Sequence, residues 1–175
     1  LTFFSNRQRD RGGLVTFDHD IVEYVPPSMK HMDTILHLLH RASAGRAGSL
    51  REPLVKITEL LSRKGIVVII SDFYEHPDEI LSSISLLRGR GHDVIVFHVL
   101  DPAELSFPFE DSSSFEDLET REQIPVIPNR LRDDYKRLVS EHVESVEHRL
   151  AENRIDYVLL DTSKPLDLAL FQYLL

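Results

Sequence analysis

Two periods of hydrophobic spacing alternate along the chain, and each change of period marks a change of element. Residues 1–11 carry Phe3 and Phe4 and then turn polar and basic, the pattern of the last turns of a helix that begins before Leu1. Leu14–Phe17 and Ile21–Val25 read as a hairpin around Asp18-His19-Asp20, whose short polar side chains suit a turn. Pro26-Pro27 is expected to end it. From Ser28, a candidate N-cap, Met32, Ile35, Leu36 and Leu39 recur every three or four residues and predict a helix with one buried face. A loop over 44–49 separates this helix from a second, marked by Leu50, Leu54, Ile57, Leu60 and Leu61. Pro53 falls in its first turn, where a missing N–H costs little.

Ile66–Ile70 is then a continuous β-branched run, the composition of a strand covered on both faces. A helix from about Pro77 to Arg88 presents Ile80, Leu81, Ile84 and Leu87, and Val94–Leu100 forms a second buried strand. Strand, helix and strand with such short links predict a right-handed parallel crossover. Residues 101–127 break the alternation: Asp101-Pro102 turns the chain, and Phe115–Leu118 with Gln123–Ile127 suggest a small antiparallel excursion. A long helix follows from about Asn129 to Asn153, its inner face marked by Leu131, Tyr135, Leu138, Val139, His142, Val143, Val146 and Leu150. Ile155–Leu160 is another strand, and Pro165–Leu174 a final helix. The sum is one α/β domain over residues 1–175, a doubly wound, mainly parallel, Rossmann-type sheet with a hairpin insertion at about 104–127.

Composition narrows the chemistry. A chain of 175 residues is long enough for one substantial core and short for two. Twenty Lys plus Arg against 29 Asp plus Glu give a net charge of −9, which repels phosphate backbones and argues against nucleic acid as a partner. With no cysteine, thiolate metal sites and cysteine nucleophiles are excluded, and a reducing, cytoplasmic setting fits. No run approaches the roughly 18 apolar residues that cross a bilayer.

The candidate chemistry centres on Ser71-Asp72-Phe73-Tyr74. In open parallel sheets, ligands gather outside the carboxyl ends of the strands, so Asp72 is placed to hold a cation or to orient a loop. Asp18 with Asp20, Asp101 and Asp161 also end strands; if they share one edge, they would form a set of oxygen donors suited to magnesium, calcium or manganese. Each alone is more simply a turn residue. His37 and His40 lie on one helix without the acidic partners of a metal motif, and His142 reads as a core-edge histidine. A Ser71/His98/Asp72 triad lacks the Gly-x-Ser-x-Gly elbow, and no glycine-rich phosphate loop opens a helix.

Gly13-Leu-Val-Thr-Phe-Asp, Ile70-Ser-Asp-Phe, the stretch from Gly91 to Leu105, and Phe115-Glu-Asp-Leu-Glu-Thr stand in an order that resembles the bacterial family called domain of unknown function fifty-eight. That family looks like a von Willebrand factor A domain, and its genes commonly sit beside MoxR-type AAA+ ATPases. The resemblance implies a non-catalytic interaction module, an adaptor or chaperone-type partner of such an ATPase, with no enzymatic activity. It further implies a degenerate metal-ion-dependent adhesion site in which Asp72 is retained and Ser49 is a substitute ligand. Magnesium, calcium or manganese would bind weakly or not at all. The alternative is a divalent-metal-dependent phosphohydrolase or phosphotransfer domain using Asp72 and the other strand-end carboxylates. By the same resemblance the first central strand lies before Leu1. Two half-sheets with unpaired edges are then expected, which either re-pair internally or pair with another copy.

Overall fold

The computed structural model describes residues 2–43, 48–110, 113–116, 123–167 and 170. In chain order the elements are α1 (Thr2–Arg7), β1 (Gly12–Phe17), β2 (Ile21–Ser28), α2 (Met32–Arg41), α3 (Arg51–Leu60), β3 (Ile66–Ser71) and α4 (Pro77–Gly89). They continue with β4 (Asp93–Leu100), α5 (Pro102–Ser106), β5 (Ser113–Glu116), β6 (Gln123–Val126), α6 (Pro128–Glu152) and β7 (Asp156–Asp161). Most of the final helix expected over 165–174 lies outside the described residues.

Three parallel strands in the order β3-β4-β7 carry the fold. Their register is continuous, from Ile66 against Asp93 to Ser71 against His98, and from Ile95 against Asp156 to Leu100 against Asp161. Side chains alternate across a strand, so Val67 and Ile69 share one face with Val94 and Val96. Onto that face α4 brings Ile80, Ile84 and Leu87, and α6 brings Val146 and Leu150, all at or near full burial. Each such side chain contributes roughly 1.5–3 kcal/mol of apolar burial. The mixed α/β architecture with a parallel central crossover therefore follows the hydrophobic periods.

Four features depart from those periods. β3 is not covered on both faces: Ile66 and Ile70 are 69% and 60% exposed, because the strand stands at the edge of its sheet with β4 alone beside it among the described residues. β2 runs on through Pro26 and Pro27 to Ser28, so the prolines do not end it. Gly12 pairs Ser28 and Leu14 pairs Val25, which sets two β2 residues against Gly13 in a bulge where proline needs no ladder N–H. Helix α2 consequently starts later than Ser28, with His31 as its N-cap. Finally, two helices bury only part of their predicted faces: Leu36 and Leu39 of α2 are 57% and 50% exposed, and Leu131 and Leu138 of α6 are 46% and 56% exposed. At about 1.5 Å per residue the 25-residue helix outruns strands of six to eight residues at about 3.3 Å each, so its N-terminal half projects past the sheet.

The hairpin β1–β2 forms its own two-stranded sheet, and β5–β6 forms another. Val15, Phe17 and Ile21 of the first pack against the same cluster that buries Leu50, Leu54 and Ile57, yet no ladder joins the hairpin to β3. Gly13 is fitted tightly into the bulge. A Cβ there would lie 2.8 Å from the Val25 carbonyl oxygen and 3.1 Å from the Pro27 nitrogen, whereas one on Gly65 would meet nothing within 4 Å. Gly13→Ala is therefore expected to destabilise the chain by about 1–3 kcal/mol. Gly65→Ala is expected to stay within about 0.5 kcal/mol of the parent, both read from urea unfolding midpoints.

Candidate functional site

At the carboxyl end of β3 the chain makes a turn that its own side chains hold. Phe73 takes a left-handed backbone (φ 48°), a region costing an ordinary residue on the order of 1–2 kcal/mol. Its ring is fully buried in the core cluster, and burying a phenyl ring outweighs that cost. Two hydrogen bonds fix the backbone. The Phe73 N–H donates to Ser71 Oγ at 3.3 Å, and its carbonyl lies 2.7 Å from His142 Nε2 on α6. With Phe73 pointing inward, its neighbours Asp72 and Tyr74 stand in solvent, Tyr74 at 63% exposure. Asp72 accepts from the Ser71 hydroxyl at 3.3 Å.

The other strand ends join this turn. Tyr74 donates its hydroxyl to Glu104 Oε1. The second Glu104 oxygen accepts the Asp101 N–H at 2.7 Å, and Asp101 Oδ1 accepts the Ala103 N–H at 2.8 Å, closing a capping box on α5. Asp101 Oδ2 takes the Thr162 hydroxyl at 3.3 Å, which ties in the end of β7. The loops after β3, β4 and β7 thus form one hydrogen-bonded, acidic rim. Partial desolvation and then the Glu104 carboxylate push the Tyr74 hydroxyl well above its ordinary range, so it stays a donor. The Ser163 hydroxyl and N–H, bonded to Asp161 at 2.7 and 3.0 Å, hold that carboxyl below its ordinary value.

Beneath the rim lies a buried histidine. His98 of β4 is fully buried, with Nδ1 2.8 Å from the Tyr157 hydroxyl, and among the described residues its Nε2 has no hydrogen-bond partner. Its ring meets Phe73, His142 and Tyr157 edge to face at 5.5–6.2 Å between centroids. Burial pushes the imidazole from its ordinary 6.5 down to about 4, a fall that the Asp72 backbone and carboxylate only partly offset. The neutral ring is therefore a packing element.

Of the strand-end acids, Asp72, Asp101 and Asp161 gather on this rim. Asp18 and Asp20 instead hold the β1–β2 turn: Asp18 Oδ1 accepts the Asp20 N–H at 2.9 Å, and Asp20 pairs with Lys56 at 2.6 Å. The Lys56 ammonium lowers the Asp20 carboxyl below its ordinary value. Ser49 is half-buried and donates its hydroxyl to Glu52 Oε2 at 2.8 Å, while the adjacent Leu50 N–H donates to Glu75 at 3.0 Å. Among the described residues no group of three or more histidine or acidic side chains is placed so as to hold a metal ion. His37 and His40 are both exposed on α2. Sequence spacing singled out Asp72 but not Glu104, although Asp101-Pro-Ala-Glu104 has the capping-box spacing.

His98 gives the site a pH signature. Its folded value lies below the unfolded one, so the unfolded chain binds the proton more readily between the two. Stability is thus expected to be full above pH 6.5 and to fall by about 3 kcal/mol on acidification to pH 4. In urea titrations His98→Phe should lose that part of the slope; an unchanged slope would place it on other groups.

Known proteins of similar structure share this architecture. An aerotolerance-related membrane protein from Bacteroides fragilis, solved with multiple mutations to serines, superposes with a TM-score of 0.57 at 16% identity, over 93% of this chain and 78% of that one. The conserved hypothetical protein BatB from Bacteroides thetaiotaomicron superposes with a TM-score of 0.53 at 14% identity, over 99% of this chain and 85% of that one. At these identities the likeness is one of fold. No curated protein matches the chain. Among the described residues no helix is long and apolar enough to cross a membrane. Residues 1–145 match the family described as "Protein of unknown function DUF58", and the chain belongs to that family.

Proposed function

We propose that the chain is a non-catalytic protein-docking domain of the von Willebrand factor A-like kind. It would act as a cytoplasmic adaptor or chaperone-type partner of a MoxR-type AAA+ ATPase, with Asp72 and Tyr74 at the centre of the contact. The observation that supports this reading is the pairing of exposure with rigidity. Tyr74 is largely open to solvent, yet its hydroxyl is tied to Glu104, and the N–H and carbonyl of the preceding Phe73 are held by Ser71 and His142. An aromatic side chain held in this way loses little conformational entropy when a partner covers it. The acidic rim around it favours a partner surface carrying Lys or Arg. The ATPase as partner class rests on the family resemblance. The domain works without a cofactor, or with magnesium, calcium or manganese held weakly at Asp72 with Ser49.

Calorimetric titration of the chain with a purified MoxR-type AAA+ ATPase tests the reading. Saturable binding is expected, weakened at least about tenfold, or about 1.4 kcal/mol, by Tyr74→Ala. Absence of binding contradicts the partner. Magnesium-dependent phosphatase turnover that disappears in Asp72→Ala would instead support the phosphohydrolase alternative.

A further inference from the structure

Helix α6 carries a stripe that its own chain covers only halfway. Leu131, Leu138, His142 and Arg149 stand seven, four and seven positions apart, a spacing that sets them on one flank of the helix. The carboxyl half of that flank is occupied. His142 Nε2 lies 2.7 Å from the Phe73 carbonyl, and Arg149 pairs with Asp78 at the start of α4. Val146 and Leu150 beside them are buried in the cluster that takes Ile80, Ile84 and Leu87 of α4. On the amino half, Leu131 and Leu138 stand 46% and 56% exposed. That half is held all the same. Phe107, buried and left-handed at φ 47°, stacks on Tyr135 at 4.6 Å between ring centroids. The Arg132 guanidinium donates to the carbonyls of Phe107 and Phe109 at 3.2 and 2.5 Å. The end of α5 thus braces α6 through Arg132 and Tyr135 and leaves the two leucines in solvent.

We propose that this flank is the apolar half of the rim contact, and that its occupant is an amphipathic helix of the partner. The proposal rests on the docking reading of the rim and names the element that docks there. That helix would take beside Leu138 and Leu131 the place that α4 takes beside Arg149 and Val146. Two turns, about 10 Å, separate the leucines, and apolar positions recur at that spacing on a facing helix. An extended segment gains less, because the flank of a helix offers it no free backbone N–H or carbonyl to pair with. Charge decides the rest of its composition. Past His142 the flank runs into the turn that carries Asp72 and Tyr74, bonded to Glu104 and through it to Asp101. Lysine or arginine therefore belongs at the end of the partner helix over the rim, and leucine-sized side chains belong along the remainder.

A fluorescein-labelled synthetic peptide of about three heptads, with leucines on one stripe and lysines at one end, is the probe. Fluorescence polarisation against the 175-residue chain is expected to saturate, with a gain of helical circular dichroism on binding. A peptide of the same composition with its leucines scattered around the helix should bind at least about tenfold more weakly. Leu131→Gln with Leu138→Gln changes side chains already half in solvent and adds no charge, so the fold should be retained while binding falls at least about tenfold. No saturation overturns the proposal, as does binding that ignores the two glutamines or the scattering of the leucines. Titrating the purified MoxR-type AAA+ ATPase into the same variants separates this proposal from the reading beneath it. ATPase binding that is lost in Tyr74→Ala but intact in the glutamine pair keeps the rim contact and overturns the helix on α6. Peptide binding that needs both leucines, with no binding of the ATPase, supports the helix site and overturns the ATPase as its source.

Discussion

The parallel ladder between β3 and β4 is the constraint from which the rest of the molecule follows. It fixes Ile66–Ser71 against Asp93–His98 residue by residue, and so decides which side chains face α4 and α6 and which face away. Because the strands run in the same direction, their carboxyl ends finish together, and the three loops that follow β3, β4 and β7 converge without further instruction. The acidic rim is the direct result. Phe73 then converts the end of β3 from a simple turn into an anchored one, by spending backbone strain to place a ring in the core.

That anchoring couples the surface to the interior. Tyr74 and Asp72 face solvent because Phe73 does not, and Phe73 is held by a histidine from α6 while resting on a neutral, buried histidine from β4. The electrostatics are consistent across the site. Burial keeps His98 uncharged, the Tyr74 hydroxyl remains protonated beside Glu104, and the Asp161 carboxyl is stabilised by Ser163. A rim built in this way is prepared for a partner that brings positive charge and some apolar area, which is the basis of the docking reading.

Much of this was legible in the sequence, for physical reasons that also explain what was not. The β3–α4–β4 crossover could be read because each element has a strong period and the connections are too short for another topology. Asp72 could be placed at a strand end for the same reason. The edge position of β3 was not legible from its own composition, since Ile66–Ile70 has the same apolar run whether one face or two are covered. Pro26-Pro27 looked like a strand end because a bulge opposite Gly13 depends on cross-strand register, which single-strand patterns do not encode. The inner-face assignment of Leu131 and Leu138 failed because periodicity gives a helix face but not the length of the sheet beneath it. The Tyr74–Glu104 bond joins residues 30 apart, and only the converged loops reveal it.

Docking at this rim requires that Asp72 and Tyr74 be held out to solvent by a turn as firm as the core beneath it. Native-state hydrogen exchange of the backbone amides measures that firmness most directly. The Phe73 amide, bonded to Ser71 within a segment whose ring is fully buried, is expected to exchange on the timescale of the β3 and β4 amides and to accelerate in His142→Ala. Exchange of Phe73 as fast as that of exposed residues such as Gly48 would show a loose turn and overturn the docking role of Asp72 and Tyr74.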